Sequence, residues 1–393
     1  MSEWKECTIG ELGKIITGKT PRTTITENFA GNIPFLTPSD NMDVKYVGIT
    51  NKTLSEQGVR EVKNCLLPEG AVCVSCIGSD LGKVLITTQP TVTNQQINSI
   101  IVNDENDIDF VYYLMTIVGK RLNIISKTST AVPIINKSSF SNHKITLPNL
   151  ETQQKIAGIL SSLDEKIETN RKINARLEEL AQAIFKSWFI DFEPFGGKMP
   201  EDWDTNKLGN ICKCVLGGTP NRANPEFWNG DIPWINSGEV NKFRIFEPSE
   251  YITKLGLEKS ATKLLPKGTV VLAITGATLG QVSLLEIDTC ANQSVVGILE
   301  SSEMPFTFLY PFINSVITEL LKLQTGGAQQ HINKQNVESL TIKIPSKAVI
   351  SQYDSILRPL YNRIACICFE SARLAELRDT LLPKLMSGEI KIQ

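Results

Sequence analysis

The segment "ARLEEL" at residues 175–180 returns as "ARLAEL" at 372–377, almost 200 positions further along the chain. Other pairs of segments match at nearly the same offset: Gly18-x-Thr20-Pro21 with Gly217-x-Thr219-Pro220, Gly31-x-Ile33-Pro34 with Gly230-x-Ile232-Pro233, "LLPEG" (66–70) with "LLPKG" (264–268), and "INK" (135–137) with "INK" (332–334). Self-similarity at one offset is the signature of an internal repeat. The chain of 393 residues is therefore two copies of one unit.

The first part of each copy contains short β-branched runs, such as "AVCVSCI" (71–77), separated by Gly, Pro and Asn. Such runs predict strands. A helix is predicted over 107–125 in the first copy and over 306–323 in the second. Gly78 and Gly82 predict a tight turn between two strands. We expect a compact mixed α/β domain in each copy.

The second part of each copy predicts a long helix, because apolar residues recur there in steps of three and four, as in the seam of a coiled coil. The seam positions are Leu160, Leu163, Ile167, Asn170, Asn174, Leu177, Ala181, Ile184 and Trp188 in the first copy, and Leu357, Leu360, Ile364, Ile367, Ser371, Leu374, Arg378, Leu381 and Leu385 in the second. Pro194 should end the first helix, and Pro359 and Pro383 should kink or shorten the second. About 40 residues at about 1.5 Å each make a rod of about 60 Å.

The predicted fold class is α+β, with two similar mixed α/β domains separated by two long helices that form an antiparallel coiled coil about an internal pseudo-twofold axis. The expected segments are a first domain over 1–150, a central long helix over 151–195, a second domain over 196–345 and a C-terminal long helix over 346–393. Polar seam residues Asn170, Asn174 and Ser371 would fix the register. The alternative, in which each helix packs only on its own domain, explains the apolar stripe but not its length.

Two short motifs suggest other chemistry. "GKIITGKT" (13–20) has the spacing of the phosphate-binding loop of nucleotide hydrolases, and "CVSC" (73–76) has the spacing of a metal or redox pair. In the second copy the position of Lys19 is Gly218, and both cysteine positions carry apolar β-branched residues. The sequence around 13–20 also lacks the preceding buried strand and the following helix. An ATPase is therefore excluded, and the two cysteines are expected in the core of a strand.

The composition indicates a soluble globular protein with 41% hydrophobic residues. No stretch approaches 18 uncharged apolar residues and no signal-peptide pattern is seen, so a cytoplasmic location is expected. Nine cysteines without regular spacing fit reduced thiols. The net charge is −2, and residues 1–150 carry 14 basic and 14 acidic side chains. If the protein binds DNA, it does so without a large non-specific electrostatic contribution, and alone it should bind weakly.

Two similar domains kept apart by a rod suit a partner that repeats along an axis, such as duplex DNA with a turn of about 34 to 36 Å. A homodimer would read a palindrome, whereas a duplicated chain with diverged domains can read two different half-sites. This arrangement, together with "AQAIFKSWFIDFEPFGGKMPEDW" (181–203), closely resembles the specificity subunit of type I restriction-modification systems. The resemblance covers the whole chain.

The resemblance implies two target-recognition domains, over 1–150 and 196–345, that read an asymmetric bipartite DNA target. It implies a non-catalytic subunit bound between two adenine-N6 methyltransferase subunits and able to recruit restriction subunits. No cofactor or metal would be bound by this chain, and S-adenosylmethionine, ATP and Mg²⁺ would be used by the partners. The chain lacks an Asp/Asn-Pro-Pro-Tyr/Phe motif and has only two histidines, which agrees with a non-catalytic subunit. Trp188 and Phe189 are expected to dock the methyltransferase subunits, with core packing as the alternative.

Polar loop residues that differ between the copies are expected to specify the bases, and shared residues to support the fold. Asn and Gln suit adenine, Arg and Lys suit guanine, and hydroxyl groups suit phosphates. The candidate DNA-binding residues are Lys19, Thr20, Arg22, Thr23, Thr37, Ser39, Asp40, Asn41, Ser79, Lys83, Thr128, Ser129, Thr130 and Lys137 in the first copy, and Thr219, Asn221, Arg222, Asn236, Ser237, Glu239, Asn241, Lys242, Thr278, Gln281, Gln329, Gln330, His331 and Lys334 in the second. Of these, the shared Lys137 and Lys334 suit fold support or contacts to the DNA backbone. An ordinary solvated loop is the alternative at each position.

Two other classes of function fit some of these features. A protein-interaction scaffold, with two adhesion-like heads and a coiled-coil spacer, would also show diverged polar loops. The segment "FKSWFIDFEPF" (185–195) weighs against that class. A self-sufficient methyltransferase would need a cofactor-binding module, for which the duplication leaves no room.

Overall fold

The structure is a computed structural model that describes residues 4–78, 80–126, 135–324 and 330–392. The chain divides into two compact units. The first contains Met1–Lys166 and Leu374–Gln393, and the second contains Ile167–Arg373. The division runs through both long helices. Each unit therefore contains one α/β domain and a stretch of each long helix.

The elements are numbered in chain order. The strands are β1 (Lys5–Thr8), β2 (Gly13–Thr17), β3 (Phe29–Leu36), β4 (Thr53–Leu54), β5 (Leu66–Leu67), β6 (Val72–Ser75), β7 (Val84–Ile86), β8 (Thr91–Thr93), β9 (Ile97–Val102), β10 (Lys144–Leu147), β11 (Asp204–Lys207), β12 (Cys214–Leu216), β13 (Trp228–Ile235), β14 (Glu250–Ile252), β15 (Leu264–Leu265), β16 (Val270–Ala273), β17 (Val282–Leu284), β18 (Thr289–Ala291), β19 (Val295–Ile298) and β20 (Thr341–Ile344). The helices are α1 (Glu56–Glu61), α2 (Ile108–Ser126), α3 (Lys137–Ser141), α4 (Leu150–Phe189), α5 (Leu208–Ile211), α6 (Lys254–Glu258), α7 (Phe306–Leu321), α8 (Lys334–Glu338) and α9 (Lys347–Met386).

The two α/β domains share one sheet topology. In the first unit the sheets have the strand orders β2-β9-β6-β7, β4-β3-β8-β5 and β1-β10. In the second unit the orders are β12-β19-β16-β17, β14-β13-β18-β15 and β11-β20. In both, the second sheet contains one parallel pair, β3 with β8 and β13 with β18, among antiparallel neighbours. The predicted duplication of a mixed α/β domain is confirmed strand by strand.

The same irregularity bends β3 and β13. The pairing of β3 with β4 shifts between Phe29 and Ile33, and Ala30 within that interval has a φ of 60°. The pairing of β13 with β14 shifts at the equivalent place, where Asn229 has a φ of 61°. The left-handed region is tolerated by asparagine and is strained for alanine. The two copies therefore share this left-handed backbone conformation, although the residue that adopts it is Ala30 in one copy and Asn229 in the other.

The core of the first unit joins one sheet to α2 and to parts of both long helices. Its buried members include Val72 and Ile100 from the sheet, Phe110 from α2, Leu160 from α4 and Leu385 from α9. The core of the second unit is likewise built from one sheet, the helix α7 and parts of both long helices. Each α/β domain therefore packs on a pair of helix segments that come from different copies of the sequence.

Polar groups fix the register of the helix pair within the second unit, as predicted. The amide of Asn170 donates to Glu370 Oε2 at 2.9 Å and to Ser371 Oγ at 3.2 Å. Asn174 donates to Cys368 Sγ at 3.3 Å. Partner numbers fall along α9 as they rise along α4, so the two segments run antiparallel. Both asparagines are buried, which makes their pairing sensitive to a shift in register.

The long helices are each 40 residues long, and α9 continues through both of its prolines. The predicted shortening of this helix is wrong. Pro359 and Pro383 are exposed, as are Ser355 and Asp379 four residues before them. Water can therefore solvate the carbonyl groups that lose their helical partners. Among the described residues, no helix combines the length and the apolar character that crossing a bilayer requires.

The structure agrees with the interpretation of both short motifs. Gly13–Thr17 is strand β2, and the residues after it form a turn and not the helix that a phosphate-binding loop requires. Cys73 lies in β6 and Cys76 follows it, both buried, and burial raises the pKa of their thiols to about 12 and about 11. Gly78 and Gly82 have φ values of 86° and 89° in the turn between β6 and β7.

Candidate nucleic-acid interface

The Gly-x-Thr-Pro turn follows β2 in the first unit and β12 in the second. Gly18 has no room for a side chain, because an added Cβ would lie 2.2 Å from Thr93 Oγ1 and 2.3 Å from the carbonyl oxygen of Asn94. At Gly217 the same atom would lie 2.1 Å from the carbonyl oxygen of Asn292. The shared glycine therefore lets this turn pack directly on the backbone that follows β8 or β18.

The shared threonines support the turn. Thr20 donates its hydroxyl hydrogen to Gln95 Oε1 at 2.8 Å, and Thr219 donates in the same way to Gln293. These hydroxyl hydrogens are used within the fold, so the two threonines are less available to phosphates than the sequence suggests. The residue between glycine and threonine differs, since Lys19 is exposed in one unit and a buried glycine occupies its place in the other.

A buried carboxylate holds the loop 37–41 in the first unit. Asp40 is 8% exposed and accepts hydrogen bonds from the backbone N–H groups of Thr37 at 2.7 Å and Asn51 at 2.6 Å. A carboxylate in that position is not presented to a ligand. The predicted base contact by Asp40 is therefore corrected to a structural role, whereas Ser39 and Asn41 are exposed on the loop that Asp40 orders.

The equivalent loop of the second unit has the same design with a longer acid. Glu239 is 6% exposed and accepts from the backbone N–H groups of Asn236 at 3.3 Å and Ser249 at 3.0 Å. Asn236 caps the following turn by accepting from the N–H of Gly238 at 2.7 Å. The predicted base contact by Glu239 is corrected for the same reason. Asn241 and Lys242 lie exposed at the end of this loop, and Ser237 is half-buried in it.

Each unit contains one arginine of the predicted set, and each arginine is paired with a carboxylate. Arg22 donates from Nε to Glu61 Oε1 at 2.8 Å. Arg222 donates from Nη1 and Nη2 to the two oxygens of Glu250, at 2.6 and 2.8 Å. These hydrogen bonds lower the pKa of the Glu250 carboxyl. Both arginine side chains stay more than half exposed, so their unused donors face solvent.

The predicted lysines divide into paired and unpaired residues. Lys83 lies 3.1 Å from Asp43 and 2.9 Å from Asp80, and Lys334 lies 3.1 Å from Glu338. Lys242 likewise pairs with Glu239.

Lys19 and Lys137 make no ion pair within the part of the chain that the structure describes. Burial raises the pKa of the Cys65 thiol, and the charges of both lysines oppose that rise. Both lysines are exposed.

Part of the predicted set lies around the end of β16. The backbone carbonyl of Gln330 accepts from the N–H of Gly276, and His331 bridges to Thr275. Thr278 is half-buried in the turn that begins at Gly276. Five predicted residues lie outside the described residues: Ser79, Thr128, Ser129, Thr130 and Gln329.

The predicted residues fall into three groups by exposure. The exposed ones are Lys19, Arg22, Thr23, Ser39, Asn41 and Lys137 in the first unit and Asn221, Arg222, Asn241, Lys242, Gln281, Gln330 and His331 in the second. The half-buried ones are Thr20, Thr37, Lys83, Thr219, Asn236, Ser237, Thr278 and Lys334. Only the acids Asp40 and Glu239 are buried among the described members of the set.

Sequence reasoning missed the residues that hold the arginines. Glu61 and Glu250 were not predicted, because each lies on an element remote in sequence from its arginine. Trp228, on which Arg222 stacks, was not predicted either, although it lies only six residues further along the chain. One signal was available for Trp228. The second copy has tryptophans at 228 and 234 where the first has Phe29 and Phe35, and a change from Phe to Trp adds a polar N–H group.

The aromatic end of α4 belongs to the core. Phe189 is 4% exposed and packs edge-on against Phe308 and Tyr353, with ring centroids 4.8 and 4.7 Å apart. Trp188 is half-buried against Tyr353 and Phe195. The expected docking role of Phe189 is therefore corrected to core packing. Trp188 packs on the same core but keeps an accessible part, so its docking role stays a prediction.

Comparison with known proteins decides the family. A model of the type I restriction modification DNA specificity domain matches this chain twice, over residues 1–179 and 200–377. The chain belongs to this family. The two matches coincide with the two copies of the repeat, so each copy is one specificity domain.

Named type I specificity subunits match this chain over its whole length. It is 29% identical over 411 residues to the type I restriction enzyme MjaIX specificity subunit of Methanocaldococcus jannaschii, covering 100% of this chain and 94% of the relative. It is 26% identical over 469 residues to the HindI specificity subunit of Haemophilus influenzae, covering 99% and 100%. Its fold is similar to the crystal structure of a type I restriction-modification S subunit from M. genitalium, with a TM-score of 0.61 at 18% identity, over 98% of this chain and 96% of that one.

Proposed function

We propose that this chain is the DNA sequence-specificity subunit of a type I restriction-modification enzyme. One observation carries the proposal: the two specificity domains share their sheet topology while the exposed polar residues on equivalent loops differ. A shared frame with different loops is what reading an asymmetric bipartite target requires. The first domain would read one half-site and the second domain the other.

The proposed subunit performs no chemistry of its own. Two methyltransferase subunits would methylate adenine N6 with S-adenosylmethionine, and restriction subunits would cleave DNA with ATP and Mg²⁺. Family membership and the names of the relatives support these partners. The ion pairs of Arg22, Lys83, Arg222, Lys242 and Lys334 support a division of labour in which the partners supply most phosphate contacts. The complex would act in the cytoplasm, where the DNA is.

Methylome sequencing tests the proposal. Host cells with and without this chain are compared, and one bipartite N6-methyladenine motif is expected to disappear with the chain. Exchanging "TPSDN" (37–41) for residues of a different specificity subunit should change one half of that motif and leave the other. A chain that captures no methyltransferase subunit and affects no motif would point instead to the interaction scaffold.

A further inference from the structure

A groove of about 530 Å³ opens on the second unit beside Arg222. Its walls include Trp228 and Asn229 from the bulged start of β13, and Glu250 and Tyr251 from β14. Tyr251 is 43% exposed and the Arg222 side chain is 53% exposed. A polar and aromatic surface of this kind is available to a flat, hydrogen-bonding ligand.

Two contacts hold the Arg222 guanidinium in one plane. Glu250 accepts one hydrogen from each terminal nitrogen, which fixes the direction of the group. The indole of Trp228 lies beneath it, with the guanidinium carbon 3.8 Å from the ring centroid. A guanidinium stacked on an aromatic ring and paired bidentately loses little conformational entropy when it binds a further group.

The indoles also hold the loop that carries Arg222. Trp228 Nε1 donates to the carbonyl oxygen of Asn221 at 3.2 Å, and Trp234 Nε1 donates to that of Gly218 at 3.1 Å. The backbone on both sides of the arginine is thereby fixed to β13. The side chain is placed by the fold before any ligand arrives.

One hydrogen-bonding edge of Arg222 stays free. Among the described residues, Nε and the remaining hydrogens of the terminal nitrogens have no hydrogen-bond partner. Nε and Nη2 present two parallel donors, which match the O6 and N7 acceptors of guanine in the major groove. The carboxylate of Glu250 repels a phosphate from this place, so a base edge fits better than the DNA backbone.

Arg22 of the first unit lacks this arrangement. Its Nε is occupied by Glu61, and no aromatic ring of the described residues lies under its guanidinium. The side chain is 72% exposed. Phe29 and Phe35 stand where the second unit has the two tryptophans, so no indole N–H fixes the Arg22 loop.

We propose that Arg222 reads one guanine in the half-site recognised by the second domain, with Glu250 and Trp228 as its positioning residues. This inference rests on the proposed function and adds the identity of one base. Arg22 would contact phosphates or a base without this preset geometry. The predicted half-site of the second domain therefore contains a G·C pair whose recognition depends on Arg222.

The test is methylome sequencing of cells that express the complete complex with wild-type chain, Arg222→Lys, Glu250→Gln or Arg22→Lys. For Arg222→Lys we expect the preference for guanine at one position of one half-site to fall at least tenfold, with the other half-site unchanged. Glu250→Gln should relax the same position less, and Arg22→Lys should leave that position unchanged. Thermal unfolding of Arg222→Lys should match that of the wild type.

Two results would separate the claims. If wild-type chain yields a bipartite motif, and Arg222→Lys lowers methylation evenly without changing any base preference, the guanine assignment is overturned while the proposed function stands. If the wild-type chain yields no bipartite motif, the proposed function itself fails.

Discussion

Lys45 and Arg244 stand at the same place in the two copies, and each ties an α/β domain to a long helix of its own unit. Lys45 Nζ lies 2.8 Å from Asp109 Oδ1 and 2.9 Å from Ser161 Oγ on α4. Arg244 donates to Glu178 on α4 at 2.5 Å and lies 3.7 Å from Glu286. In both units a cation therefore joins the α/β domain to α4, and we call this contact the junction.

The two junctions differ in how far water is excluded. The first borders an open groove of about 580 Å³ lined in part by Tyr113, Asp164 and Arg378. At the second junction the side chains of Arg244, Glu178 and Glu286 are 0%, 10% and 4% exposed. The Lys45 side chain is itself only 7% exposed, so the junctions differ mainly in their acids, since the Asp109 side chain is 34% exposed. A compact ammonium suits hydroxyl and aromatic partners, whereas a guanidinium can face two buried carboxylates. Duplication kept the position of the charge and let its surroundings diverge.

The largest effect should come from breaking the drier junction. Arg244→Met leaves Glu178 buried without its cation and leaves Glu286 with Lys267 alone, so we expect a loss of about 3 to 5 kcal/mol in the free energy of unfolding. Lys45→Met should lose about 1 to 2 kcal/mol, since Asp109 can be solvated. Four of the five tryptophans lie in the second unit, so urea unfolding followed by tryptophan fluorescence reports that unit and hydrogen exchange reports both. Equal losses would show that burial of the junction is unimportant.

A smaller and symmetrical effect is expected at the shared turn. Gly18→Ala and Gly217→Ala each bring a Cβ within 2.4 Å of backbone oxygen atoms, so each should destabilise its own unit by about 1 to 3 kcal/mol. Gly48→Ala is the matched control, because nothing lies within 4 Å of its Cβ position. Local hydrogen exchange would locate each loss. A loss in only one unit would contradict the equivalence of the two turns.

A pH-dependent contribution to stability is expected at the second junction. Burial raises the pKa of Glu286 above its usual 4.5, although Lys267 and Arg244 oppose the rise. The folded state then holds this proton more tightly than the unfolded state does, so the contribution of Glu286 falls as the pH rises through its folded pKa. Wild-type stability, measured against Glu286→Gln, should therefore decline as the pH is raised above 4.5. A rise instead would mean that the two cations dominate.

The smallest effect concerns the bulge. Ala30→Asn should stabilise the first unit by a few tenths to about 1 kcal/mol, because asparagine tolerates the left-handed backbone, and Asn229→Ala should cost the second unit a similar amount. Thermal unfolding of both variants checks the signs. Changes of the same sign in the two units would contradict a common bulge strain.

The repeat made much of this fold predictable. Comparing the copies identified the α/β domains, the long helices, the glycine turns and the polar seam, since these depend on local periodicity and on residues kept in both copies. The partners of individual side chains were not predictable. Arg22 pairs with Glu61 on α1, whereas Arg222 pairs with Glu250 on β14, and no local pattern distinguishes these choices.

The carboxylates were misread for a related reason. Asp40 and Glu239 occupy loops that differ between the copies, which favoured a role in recognition. Both acids order their loops by accepting backbone N–H groups. The change from Asp to Glu hides this shared role in the sequence. Each acid also accepts from a backbone N–H three residues earlier, which is a local pattern, but the second bond of each depends on a distant chain segment, at Asn51 or Ser249.

The carboxylates beside the exposed cations have a consequence for how a DNA-reading subunit would search a chromosome. A protein with unpaired lysines and arginines is held by every stretch of duplex it meets, and millions of wrong sequences then compete with the right one. Cations already neutralised by neighbours release few counterions at random sites. Such a subunit would bind most of the genome only briefly. It would depend on its assembled partners to stay bound at its few target sites.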